Sequence, residues 1–406
     1  MLLLLWGCAE GQEKPAEATK SATVAAAIDH NRVIINVDLR LPNGSSETIR
    51  AWVDNGNAEL YLSRRVATLL NLPVICNDQE CSSPPPKEIV VGGMTIPLNQ
   101  FKEAKIPLRP VSAAAVMAPG MAAEINIPAP VLRNYDVLVD FPEHRFSIGA
   151  PGTIHFRGSS EKVRVTENGL IQVPSQIENK KYNLALDLGS SISFLSEELF
   201  DKLAGAHPDW PHMTGAVGSA NMWGSDAETK WKVMRIDRVQ FGPLFLTDVP
   251  VVASPKAVMD LLEKRAGIAT AGLLGSNMLL NYRVGLDYAR STVYFDIGRM
   301  SRFPEFDVVG VVLRPEDDGR FTIIGVADFD GKPSVEGVQA ADHLIAVNGI
   351  PVSGSTMGQV WAALGGTPGQ ERRLTIERAG KEFLVTAKVQ HFLGALPEEP
   401  SPNKRK

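Results

Sequence analysis

Two short stretches could carry acid–base chemistry. "AWVDNG" ends an apolar run on Asp54 and "LALDLG" ends another on Asp187, each with a glycine two residues further on. If the chain brought these carboxylates together they would share one proton, because like charges at close range cannot both ionise, and the pair would hold a base beside an acid. The competing reading is a turn residue that closes a strand. The tripeptide alone does not decide, since a D-x-G should arise by chance roughly twice in a chain this rich in glycine. A third copy stands at Asp317.

The surroundings decide more. Aligned on the aspartates, from 54 to 187 at an offset of 133, the two stretches share Asp, Gly, Leu62 with Leu195, Ser63 with Ser196 and Leu70 with Leu203, and Tyr61 faces Phe194. Further on, "NYDVLVDF" from Asn134 matches "NYRVGLDY" from Asn281 at an offset of 147. The same order at nearly the same spacing marks a duplication.

Each copy needs the same elements to position its aspartate. A strand pair leads in: "VIINVDLRLPNGSSETIRAWVD", with Asn43-Gly44 as hairpin turn, and "GLIQVPSQIENKKYNLALD" in the second copy. Ser63 and Ser196 are candidate N-caps of short helices, with Glu197 and Glu198 at the positive end of the second. Strands with Gly-Gly and Gly-Pro turns follow in "IVVGGMTIPL" and "VQFGPLFLTDVPVV". The pattern predicts mostly β structure with little helix.

On these residues the region from about Val33 to Ile297 resembles aspartic peptidases of the pepsin and retropepsin kind. The two apolar-apolar-Asp-x-Gly loops carry the resemblance, together with Leu273-Leu274-Gly275 in "AGLLGSNMLLNYRVGLDY", which is similar to the segment packed beneath an Asp loop in that family. The resemblance implies two β-barrel lobes, residues 30–152 and 160–300. It implies Asp54 and Asp187 as the catalytic pair, and Gly56, Asn57, Gly189 and Ser190 as residues beside the substrate. It implies no cofactor. The chain departs from the family at several positions. Asn55 and Leu188 stand where Thr or Ser ties the two loops together, Asn57 follows the first glycine, and Pro128 is the first copy's counterpart of Gly275. The second copy is also longer, and the extra residues fall in the glycine-punctuated stretch Gly215 to Trp231, expected either as a flap over a cleft or as a solvated hairpin without function.

After Ile297 the pattern changes. Residues 305–392 resemble a PDZ domain of the bacterial protease-associated type, a small α+β barrel, through "HLIAVNGIPV" as buried strand and turn, "STMGQVWAAL" as groove helix, and "RRLTIER" with "KEFLVTAKV" as closing strands. The resemblance implies that Gly310, Val311, Val312 and Leu313 receive the C-terminal end of a peptide that adds as an extra strand. Ala341 stands where that family has glycine, and Asp317 falls in a polar turn as the chance D-x-G. A small β domain that only packs against the lobes is the alternative.

Composition bounds the rest. The chain has 406 residues, 44% apolar and 21% charged, with a formal charge of −5, which suits two or three globular domains and excludes a basic nucleic-acid binder. Seven His and three Cys lack zinc-site spacing, so no metal is expected. Residues 1–29 begin "MLLLLWGCAEGQEK", an apolar run too short to cross a bilayer. The run resembles a bacterial lipoprotein signal with Cys8 as the lipidated residue; an ordinary signal peptide is the alternative, and both export the chain. Cys76 and Cys81 are then disulfide candidates in an oxidising compartment, with two free thiols as the alternative. Residues 393–406 are expected to be a disordered tail.

The expected function is therefore an exported, lipid-anchored aspartic endopeptidase of the periplasm or cell envelope, a monomer, with a PDZ unit recruiting or gating peptide substrate. Two alternatives stand beside it: an inactive peptide-binding pseudoprotease, and an enzyme in which the second lobe pairs with the same lobe of another molecule.

Overall fold

The computed structural model describes residues 19–77, 81–107, 123–267, 269–298, 305–329 and 331–394. Cys8 and most of the predicted tail lie outside them. The fold is mainly β, with two related β lobes and a third, smaller sheet unit.

The hairpins form where turn chemistry places them. Arg32–Arg40 pairs with Ser46–Asp54 around Gly44, whose φ of 84° suits glycine, and Asn43 caps the turn by accepting the Ser45 N–H. Glu88–Val91 pairs with Met94–Pro97, and Lys232–Phe241 with Leu244–Ser254. Helices Arg64–Leu69 and Glu197–Ala206 start as expected, with Ser63 and Ser196 accepting from the N–H groups of Val66 and Leu199.

The duplicated strands pair with each other. Asp136–Asp140 runs antiparallel to Tyr282–Asp287, with Asp136 opposite Asp287 and Asp140 opposite Arg283. By the 147 offset, Asp287 is the copy of Asp140 and Arg283 the copy of Asp136. Each residue thus faces the copy of its partner, which is the register a local two-fold axis requires. This pairing sits inside an eleven-stranded sheet joining the lobes, and one apolar cluster runs through both, with Val137, Phe146, Leu286 and Phe295 in its interior.

The two copies match again beneath the aspartates. Ser46–Asp54 runs parallel to Ile125–Pro128 with Asp54 opposite Pro128, and Lys180–Asp187 runs parallel to Gly272–Gly275 with Asp187 opposite Gly275. A side chain at Gly275 would meet the Ile192 carbonyl at 2.4 Å, so only glycine fits there. Its N–H donates to Ser193 Oγ at 3.0 Å. In the first lobe Pro128 has no such N–H, and the position matching Ser193 is buried Leu60, so donor and acceptor are lost together and no buried group is orphaned.

The third unit is a sheet ordered Val311–Pro315, Phe321–Val326, Asp342–Val347, Glu371–Arg378 and Lys381–Lys388, closed by helix Met357–Leu364 with a Thr356/Gln359 capping box. Ala341 takes the left-handed backbone, φ 72°, where glycine would be unstrained. The unit shares a core with the second lobe, in which Phe194, Trp231 and Val252 join Val311, Leu313 and Phe321.

Residues 215–231 do not form a free hairpin. They make two short 3-10 turns, Gly218–Ala220 and Asp226–Lys230, wedged between the second lobe and the third unit. Trp223 stacks on Phe194 at 5.9 Å and meets Trp231 edge-on at 5.1 Å, and a side chain at Gly224 would lie 2.9 Å from the Arg314 Cα. The stretch is longer than its first-lobe counterpart because it fills an interface.

Candidate active site

The two-fold axis brings the Asp loops face to face. A Cβ placed on Gly56 would lie 2.1 Å from Cγ of Asp187, and one on Gly189 would lie 2.4 Å from Oδ1 of Asp54. Each glycine therefore makes room for the opposite carboxylate, and any larger residue would displace it. Asp54 is 2% exposed, whereas Asp187 keeps part of its surface in solvent.

Asn55 ties the loops together alone. Its Nδ2 donates to the Leu186 carbonyl at 2.8 Å, and its Oδ1 accepts the Leu188 N–H at 2.7 Å. One amide supplies both bonds across the interface, so the apolar Leu188 on the other side need return none.

Electrostatics splits the pair. Burial, reinforced by the charge of Asp187, holds the Asp54 carboxyl well above its ordinary value, against a weak donation from Asn126 at 3.4 Å. Burial also pushes Asp187 up to about 6, opposed by N–H donation from Gly189, 2.8 Å from Oδ1, and from Ser190. Both carboxyls are raised, so at neutral pH the pair holds one proton, shared between Asp54 and Asp187, and one negative charge. Such a pair can accept a proton from water at one carboxylate while the other donates one. If it performs that step, the rate against pH is bell-shaped. The acid limb should lie near pH 6, where the pair loses its first proton, and the alkaline limb higher, where it loses the second. A pH–rate profile of kcat/KM checks this.

Three residues not expected from the sequence join the site. Arg32, 3% exposed, lies across the hairpin from Asp54 and donates from Nε to the Gly189 carbonyl at 3.3 Å and from Nη2 to the Met222 carbonyl at 3.0 Å. It sits 5.9 Å over the Trp52 ring, and its charge acts on both aspartates, on Asp29 and on Glu228. His30 is pushed down to about 3, by burial first and by Arg32 second, so its neutral ring accepts from Arg32 at Nδ1 and donates from Nε2 to the Gly218 carbonyl at 3.0 Å. Asn126 braces the first loop, accepting the Tyr61 N–H at 2.7 Å and donating to the Glu59 carbonyl at 2.9 Å. One signal was available for Arg32: a charged residue directly before the apolar Val33-Ile34-Ile35.

The other expected residues fall as follows. Asn57 accepts the Ala129 N–H on its carbonyl at 2.9 Å and the Glu59 N–H on Oδ1 at 3.0 Å. Ser190 donates from Oγ to the Ile192 carbonyl at 2.7 Å and accepts the Ser276 N–H at 2.9 Å. Both side chains shape their own loops. Gly310, Val311, Val312 and Leu313 are buried in the third unit, apart from the dyad. Cys76 and Cys81 form a disulfide. An apolar hollow opens beside Asp187, lined by Gly56, Leu170, Ile171, Ala185 and Leu273 among others.

Residues 173–278, which hold the second Asp loop and its Leu-Leu-Gly partner, match the family model described as aspartyl protease. No curated protein matches the chain. Among solved structures, an aspartic proteinase from Irpex lacteus is similar over 68% of this chain and 97% of that one, at 11% identity and a TM-score of 0.38.

Proposed function

We propose that this chain is an aspartic endopeptidase in which Asp187 takes a proton from water as it attacks a peptide carbonyl and Asp54 protonates the departing amine. The observation that carries the reading is the interlocked pair of Asp loops, each carboxylate resting over the other loop's glycine; burial raises both carboxyls, which is what sharing one proton requires. Asn55 answers the departure that favoured an inactive protein, since it supplies both inter-loop bonds by itself. The third unit, read as PDZ-like, would receive peptide ends, and no cofactor enters the scheme.

A peptide-library digest with the purified chain from pH 4 to 9, read by mass spectrometry, tests the reading. Cleavage is expected, strongest above pH 6. Peptide binding without any cleavage would instead support the peptide-binding alternative.

The N-terminal part of the proposal puts the protein in a bacterial envelope, a monomer held by lipid on Cys8, with residues 9 to about 20 as a tether; the linker expected to reach residue 29 is shorter, because Ser21–Asp29 is a strand of the first lobe, paired with Arg145–Gly149 and Arg32–Arg40. Two or more acyl chains, at about 0.8 kcal/mol per buried CH₂, hold a protein on a bilayer. Cys8→Ser should move the protein from the membrane to the soluble extracytoplasmic fraction or leave it unprocessed. Unchanged membrane association, with no lipid label on the wild type, would contradict the anchor.

A further inference from the structure

The strand Val311–Pro315 is paired on one side only, with Phe321–Val326, and it ends its sheet. Its outer edge is nevertheless occupied. The Leu313 N–H donates to Asn221 Oδ1 at 2.9 Å, and the Leu313 carbonyl accepts from Asn221 Nδ2 at 3.0 Å. A residue of an added strand would exchange the same two bonds with Leu313, so the Asn221 amide stands in for a peptide unit. The residues that follow run along the same edge: Gly224 packs on Arg314 and Pro315, and Asp226 ion-pairs with Arg314 at 3.2 Å.

The segment is built to hold this position. Buried Glu228 accepts from Asn221 Nδ2 at 2.6 Å, from the Trp223 N–H at 2.6 Å and from the Gly224 N–H at 2.9 Å. Between Asn221 and Trp223, Met222 reaches the second Asp loop. Its carbonyl accepts from Arg32, and its sulfur lies 3.4 Å from Ser190 Oγ. One short segment therefore touches both the sheet edge of the third unit and the loop that carries Asp187.

We propose that the outer edge of Val311–Pro315 is a docking edge for an extended peptide, and that residues 221–226 are its built-in competitor, so that docking lifts the segment from the edge and from the second Asp loop together. This rests on the reading of the third unit as a peptide receiver. The partner is an extended chain, because what the edge offers is one backbone donor and one backbone acceptor on the same residue. Docking exchanges the two Asn221 bonds for two of the same kind but also gives up the Asp226–Arg314 pair, the Arg32–Met222 bond and the packing of Trp223 and Gly224, so the affinity in the wild type is modest. Releasing Met222 removes one of Arg32's acceptors and one neighbour of Ser190, and so loosens the packing behind the loop that carries Asp187.

The test is binding, read without cleavage. Fluorescent ten-residue random peptides with free C-termini are titrated by anisotropy into the full chain and into Asn221→Ala, and hydrogen exchange at Trp223 and Gly224 is followed with and without peptide. Asn221→Ala should bind roughly tenfold tighter, since its edge no longer has a competitor. Peptide added to the wild type should speed exchange at both amides, a readout that needs no variant. Equal affinity of the two proteins with unchanged exchange would overturn the competitor while leaving peptide docking intact. No binding by either protein, with faster exchange in Asn221→Ala, would show an open edge that takes no peptide and would overturn both. Loss of peptidase activity changes none of these readings.

Discussion

Asp54→Asn and Asp187→Asn should each lower kcat for peptide hydrolysis by about 10³-fold or more, with much smaller changes in KM. A positioned acid or base contributes roughly 10²–10⁴-fold, and an amide at either position removes the shared proton and so disables both roles. The variants should fold, because a neutral amide replaces a group whose charged form burial disfavours. The sign of the pH effect follows from the raised value of Asp187. Its protonated form contributes stability that is fully present below the ordinary Asp value and is lost as pH rises through about 6. Asp187→Asn has no proton to lose there, so it should gain on the wild type across that window. Single-turnover kinetics with urea melts at pH 5 and pH 8 check both parts. Full activity in either variant would point to a dyad formed between molecules or to another mechanism.

Asn55→Ala should be the most damaging change outside the carboxylates. Asn55 is fully buried, and its loss leaves the Leu188 N–H and the Leu186 carbonyl without partners between the loops. Each unsatisfied buried group costs about 1–3 kcal/mol, so the two together should cost about 2–6 kcal/mol of stability. The activity loss should exceed what the unfolded fraction explains, because the two carboxylates would no longer be held in register. Asn55→Thr, whose hydroxyl can accept one bond and donate the other, should recover part of both. Denaturant melts at pH 6 beside kcat measurements separate stability from positioning. An Asn55→Ala protein as stable and active as the wild type would show that the loops are held by something else.

The parts of this structure legible in the sequence are those fixed locally or by the repeat. Ser63 and Ser196 cap their helices because the cap depends on a few neighbouring residues, and Asn43-Gly44 turns its hairpin for the same reason. The offset of 147 anticipated that Pro128 and Gly275 occupy matching places, and they do, opposite Asp54 and Asp187. The compensation at Pro128 was not legible, because it depends on Leu60 replacing the acceptor that Ser193 provides in the other lobe. Arg32 was missed because it reaches the site across strands and across the two-fold axis, to Gly189 and Met222, far away in sequence. The glycines of 215–231 announce turns, but turn chemistry does not say which body a turned segment docks against; that is set by Asn221 meeting Leu313.

The protonation of Asp54 and Asp187 can be followed residue by residue. Carbon-13-labelled aspartate in the full chain, with Asp54→Asn and Asp187→Asn used to assign the two resonances, gives the protonation of each group against pH by NMR. The account predicts that the pair releases its first proton near pH 6 and retains one proton at pH 7, and that replacing either residue moves the titration of the other. Two aspartates that ionise independently, both below pH 5, would contradict it.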